Sequence, residues 1–275
     1  MPGAAAVADA SKRAAPARFK VKIAAKPDAA VIAGKVLRAF NTWSFKREQP
    51  SDPALLLRVV TEAVAAHEAV PFVLYWGKGP RHDAGAPEVQ CLDFLAALTS
   101  RIKAVHAPGA ALRLILTDTH AALNGHTEEN MAHYFGGIER LAAKRDMTVC
   151  RMSRLLAAAD DAAMQESLAD CASPETLDAL VASATKWYRA SADPREGALK
   201  YYHMNMIERR AVEQSFPRSV FVTFNGSKLR SLFPERLPIF YMYSLRRGLA
   251  VKPWFLPAEF DSNAELNDPT HHDAA

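Results

Sequence analysis

The sequence predicts an α/β fold: a Rossmann-like, mostly parallel sheet flanked by helices, with a helical insertion and C-terminal strands completing the sheet. Three observations predict it. Two apolar runs, PFVLYW at 71–76 and AALRLILTD at 110–118, do not alternate, as expected of strands covered on both faces. Long stretches of helical periodicity lie between and after them, and that strand–helix–strand order builds a parallel sheet with right-handed crossovers. The chain has 275 residues, 49% of them hydrophobic, which suffices for one large core.

Each element follows from its own residues. Val31, Ile32, Val36, Leu37 and Phe40 recur at helical spacing and predict a helix over 28–42. Ser51 or Asp52 caps the next helix, whose first turn carries Pro53, a position that tolerates the missing N–H. The first strand follows. The pattern Val89, Leu92, Phe94, Leu95, Leu98, Ile102 and Val105 predicts a helix over 88–106, broken by Pro108 and Gly109. After the second strand, Thr127 caps a helix running to about Arg145, with Glu128 and Glu129 at its positive end. MTVCR then reads as a short third strand. Residues 152–215 are helical throughout, with starts at Ser173-Pro174 and near Pro194. SVFVTFN, LPIFYMYS and LAVKPWF read as further strands, possible antiparallel members of the same sheet. One catalytic domain is expected over 18–260, with tails at 1–17 and 261–275.

Composition narrows the function classes. The net charge of +4 is mild and both signs are spread along the chain, which argues against nucleic acid as a partner. Cys91, Cys150 and Cys171 are far apart and form no CxxC, which fits a reducing, cytoplasmic setting and not a disulfide framework or structural zinc site. No run of roughly 18 apolar residues is present to span a membrane, and the Ala-rich start has its charges on the wrong side for a secretory signal.

Candidate site residues cluster after the strands, where open α/β sheets bind ligands. The loop after PFVLYW holds Lys78, Arg81 and His82 among glycines, cations suited to a phosphate or carboxylate. It lacks the Walker pattern. The segment TDTHAALNGH follows the second strand and bunches Asp118, Thr119, His120, Asn124 and His126. Asp118 and His120 suit acid–base work, although a post-strand Asp commonly caps a turn. Asn124-Gly125 reads as a tight turn. His82, His120 and His126 lack a recognised metal-ligand spacing, and neither a metal nor another cofactor is expected. In KYYHMNMIERRAVE, Tyr201, His203 and Arg209 could reach a pocket from a helix that otherwise reads as amphipathic. Asn225, Lys228 and Arg230, and later Lys252, Pro253 and Trp254, follow the last apolar runs. There is no GxGxxG, GxSxG or HExxH.

The order of these features resembles the isocyanide (isonitrile) synthases of pyoverdine and dityrosine biosynthesis. Trp76-Gly77-Lys78-Gly79-Pro80 stands where that family has a Pro-x-Lys-Ser-Pro-like segment. CLDFLAALTSRI and HAPGAALRLIL match its Leu-Asp-rich helix and Pro-Gly step into a strand. Thr117-Asp118-Thr119-His120 replaces a Ser-Asp-Gly-Arg-like strand end, ENMAHYFGGIERL matches a helix with Tyr134, and SFPRSVFVTF and VKPWF match two late segments. The similarity spans about 68–255. It implies an enzyme of specialised metabolism that turns an amino-acid amine into an isonitrile, with ribulose 5-phosphate as carbon donor and no metal or redox cofactor. Lys78, Asp118 and His120 are then the expected catalytic residues. Arg81, His82, Asn124, Tyr134, Tyr201, Arg209, Lys252 and Trp254 are the expected substrate-binding residues for a small amine and a sugar phosphate. The alternatives are another small-molecule transferase on the same sheet, and a non-enzymatic nucleic-acid or anion-binding module.

Overall fold

The computed structural model describes residues 28–39, 50, 52–76, 83–159, 172–187, 192–223, 233, 236–241, 244–246 and 249–251. The expected tails, and Lys78, Arg81, His82, Asn225, Lys228, Arg230, Lys252 and Trp254, lie outside them.

Helices α1 (Ala29–Ala39) and α2 (Pro53–Ala65) precede strand β1 (Val70–Trp76), and α3 (Ala86–Val105) leads into β2 (Ala110–Leu116). Then come α4 (Asp118–Leu123), α5 (Glu128–Ala143), β3 (Thr148–Arg151) and α6 (Met152–Ala158). Helices α7 (Pro174–Trp187) and α8 (Pro194–Ser215) follow, then β4 (Val220–Thr223), β5 (Ile239–Tyr241), β6 (Ser244–Arg246) and β7 (Leu249–Val251). Five strands form one sheet in the order β3-β2-β1-β4-β5, every neighbouring pair parallel.

The expected α/β sheet is therefore present. Two expectations about the last strands are corrected. Strand β5 is parallel to β4, with Val222 opposite Phe240. Strands β6 and β7 do not complete that sheet; they pair with each other as a separate antiparallel hairpin.

The unalternating apolar runs have a direct explanation. Phe72, Leu74 and Leu114 enter one core with residues of α1, α2, α3 and α5. Their neighbours Val73 and Ile115 enter a second core on the opposite face, with Met152 of α6, Val212 of α8 and Phe221. Successive strand side chains point to opposite faces, so a strand buried on both is apolar at nearly every position. Each such large side chain contributes about 2 to 3 kcal/mol on leaving water. A third, smaller cluster joins Leu180 of α7 to Ala198, Tyr202 and Met206 of α8 and to Phe233.

Local chemistry sets the helix starts. Asp52 Oδ1 accepts from Leu55 N at 2.8 Å, and Thr127 Oγ1 from Asn130 N at 3.2 Å. Asp193 Oδ1 accepts from Arg195 N at 2.9 Å. Gly109, with φ of 76°, makes the left-handed turn into β2 that a side chain would resist. At the other end of β2, buried Thr117 donates its N–H and its hydroxyl to the Trp76 carbonyl, at 2.9 and 3.1 Å. The carboxyl ends of β1 and β2 are thereby tied together.

Candidate functional site

Helix α4 starts directly after β2, so Asp118, Thr119 and His120 occupy its first turn instead of the loop that the sequence suggests. They stand at the carboxyl edge of the sheet, where the fold exposes ligand sites.

Asp118 and His120 hydrogen-bond to different partners. Asp118 Oδ2 accepts from Ser153 Oγ at 2.5 Å, and its Oδ1 accepts from Ser153 N at 3.0 Å and from Thr119 N at 3.2 Å. Ser153 lies in the first turn of α6, whose N-cap residue Arg151 offers no side-chain cap. Asp118 thus satisfies a helix N–H that would otherwise lack a partner. It joins the end of β2 to the end of β3, which is the capping role that a post-strand Asp commonly takes.

His120 finds its carboxylate on α8. Its Nδ1 lies 2.8 Å from Glu208 Oε2, and the side chains are 1% and 0% exposed. Thr119 Oγ1 donates to the other oxygen, Glu208 Oε1, at 2.5 Å. Tyr201 packs edge-on to the imidazole, with ring centroids 5.1 Å apart and planes at 85°. His120 Nε2 is buried and has no hydrogen-bond partner among the described residues. Such an atom is costly to leave unmet.

Around this pair, α8 presents more of the expected residues. Arg209 is buried next to Glu208, with its guanidinium carbon 5.7 Å from the centre of the Phe233 ring. Tyr202 stacks on the same ring at 5.6 Å. The structure therefore brings His120 against Tyr201 and Glu208 of α8, while Arg209 and Tyr202 of the same helix meet at Phe233. Asn124 is the C-cap of α4, its N–H bonded within that helix end, and Gly125 follows with φ of 80°, the turn expected of Asn-Gly. Tyr134 is buried on α5, where its hydroxyl donates to Glu88 Oε1 of α3 at 3.3 Å. Among the described residues, no three His, Cys, Asp or Glu side chains are grouped to hold a metal ion.

Sequence reasoning passed over Glu208. In the run Glu208-Arg209-Arg210 with Glu213 it reads as part of a charged outer face. The available signal was its spacing: Glu208 lies two helical turns after Tyr201, on the same side of α8, with Met206 and Ile207 before it.

No family model and no curated protein sequence matches the chain. The fold is similar to that of the PvcA protein from Pseudomonas aeruginosa, with a TM-score of 0.50 at 16% identity, over 73% of this chain and 81% of that one. It is also similar to tyrosyl-tRNA synthetase from Archaeoglobus fulgidus complexed with L-tyrosine, with a TM-score of 0.48 at 14% identity, over 76% of this chain and 63% of that one. Among the described residues, no helix is long and apolar enough to cross a membrane.

Proposed function

We propose that this chain is an isocyanide-synthase-like biosynthetic enzyme. In this reading it converts the amine of an amino acid or a related substrate, with ribulose 5-phosphate as the carbon donor. The order of sequence motifs motivates the reaction class, and the fold likeness to PvcA is in keeping with it. One observation supports the chemistry: a buried imidazole at the carboxyl edge of a parallel sheet, with Nδ1 on a carboxylate and Nε2 unmet. Joining an amine to a ketose carbonyl, and the eliminations that follow, need a group that takes and returns protons near neutral pH. A positioned histidine is the side chain best suited to that. Arg209 is the cation we assign to an anionic part of the substrate, and Lys78, which lies outside the described residues, is assigned a catalytic role from the sequence alone.

The test is mass spectrometry of purified protein incubated with ribulose 5-phosphate and a broad panel of amino acids. An isonitrile product is expected. His120→Gln is expected to lower its formation by at least about 10²-fold, as for loss of an acid–base group. Absence of isonitrile across the whole panel would overturn the reaction class. A His120→Gln enzyme of full activity would overturn the site.

A further inference from the structure

We infer that Glu208 is a positioning residue: with Thr119 it locks His120 in the tautomer protonated at Nδ1. Nε2 is then an acceptor, and the ligand group seated against it carries an N–H or O–H. Only the assignment of a reacting ligand rests on the proposed function; the tautomer is a property of the free protein.

The argument starts from hydrogen-bond bookkeeping. An ionised carboxylate can only accept, so a nitrogen held by it must carry the proton. Glu208 is fully buried and both of its oxygens are engaged, Oε2 with His120 Nδ1 at 2.8 Å and Oε1 with Thr119 Oγ1 at 2.5 Å. The two partners are consecutive residues in the first turn of α4. Glu208 cannot rotate without releasing both, which makes the grip two-pointed. The edge-on Tyr201 ring restricts the imidazole from the α8 side. Asp118, the acid of this turn, is engaged with Ser153. What remains is the Nε2 lone pair, buried and unmet. A carboxylate or phosphate oxygen would meet it lone pair to lone pair, so anionic parts of a ligand belong elsewhere, toward Arg209. An amine or hydroxyl fits it, and its proton is the one His120 would take. Nothing in this clamp needs a ligand to be present.

The experiment is nitrogen NMR of the full chain labelled at histidine, near neutral pH and without substrate, the His120 signals being those that vanish in His120→Gln. A protonated, pyrrole-type Nδ1 and an unprotonated, pyridine-type Nε2 are expected. Glu208→Gln, of the same shape but with a donor of its own, is expected to shift the population toward Nε2–H. It should lower kcat by roughly 10²- to 10⁴-fold, the effect of a wrongly held tautomer, with little change in KM. Thr119→Ser should restore what Thr119→Val loses. A wild-type Nε2 that carries a proton at neutral pH, in either the neutral or the cationic ring, would overturn the inference even if Glu208→Gln does not fold. The expected tautomer without isonitrile product would leave the clamp standing and remove the reaction class; product with the other tautomer would do the reverse.

Discussion

Asp118 holds Ser153 through both carboxylate oxygens, and that engagement sets what its substitution does. Asp118→Ala hands an N–H of α6 and a serine hydroxyl back to solvent and removes the cap. It is expected to cost about 1 kcal/mol, the usual worth of a helix cap. Asp118→Asn, which can still accept from Ser153 N, is expected to recover most of it. Urea denaturation of the three proteins checks this, and equal stability of Asp118→Ala and wild type would refute the capping role. Cys150 gives a second prediction at this scale. Burial pushes its thiol up, Arg113 pulls it down more weakly, and Asp118 adds a small upward push. A raised folded value means that the folded state holds the thiol proton longer than the unfolded chain does. The contribution to stability is complete below the unfolded thiol value of about 8.5 and is lost as pH rises through the folded one. Cys150→Ala is therefore expected to flatten the decline of the urea midpoint on the alkaline side. An unchanged decline would show that other groups cause it.

At the scale of elements, α5 offers a paired test. Its Gly136 and Gly137 are adjacent, and each lowers helix propensity relative to Ala by about 1 kcal/mol. A Cβ at Gly136 would meet only the far end of Arg140, at 3.6 Å. At Gly137 it would meet Ala84 Cβ at 3.0 Å. Gly136→Ala is expected to stabilise by about 0.5 to 1 kcal/mol, and Gly137→Ala to give less or to destabilise, because the segment before α3 must move. Thermal unfolding of both variants decides it. The elements also show what was legible in the sequence and why. Strands β1 and β2 were readable because burial on both faces leaves an apolar run, broken in β2 by Arg113 alone. The starts at Asp52 and Thr127 were readable because caps act within three residues. The hairpin of β6 and β7 was misassigned, since three-residue strands carry no period and pairing depends on distant partners. His120 could be singled out by its place after a strand. Glu208 was harder to read, because a carboxylate among arginines looks solvated until α4 is packed against α8, and only its spacing from Tyr201 pointed inward.

Across the whole molecule, burial is uneven. The two cores on either face of the sheet draw on many elements, whereas the third cluster holds α7 to α8 through Leu180, Ala198, Tyr202, Met206 and Phe233. Segments with few buried partners open locally at lower free energy. Amides of α7 are expected to exchange with deuterium well before those of β1 and β2, and Phe233→Ala to widen the difference. Uniform protection across α7 and the central strands would show one cooperative unit instead.

The strand order has a consequence in time as well as in space. Strand β1 is flanked by β2, its near neighbour in the chain, and by β4, which lies beyond every helix described above, with Phe72 opposite Val220. His120 and Glu208 are likewise 88 residues apart. Contacts so distant along the chain are slow to form because closing the intervening loop costs entropy before any contact offsets it. As the chain leaves the ribosome, β1, β2 and β3 can pair while the carboxylate destined for His120 is still unsynthesised. The imidazole acquires its partner only when α8 docks, so the His120–Glu208 pair is expected to close late in folding.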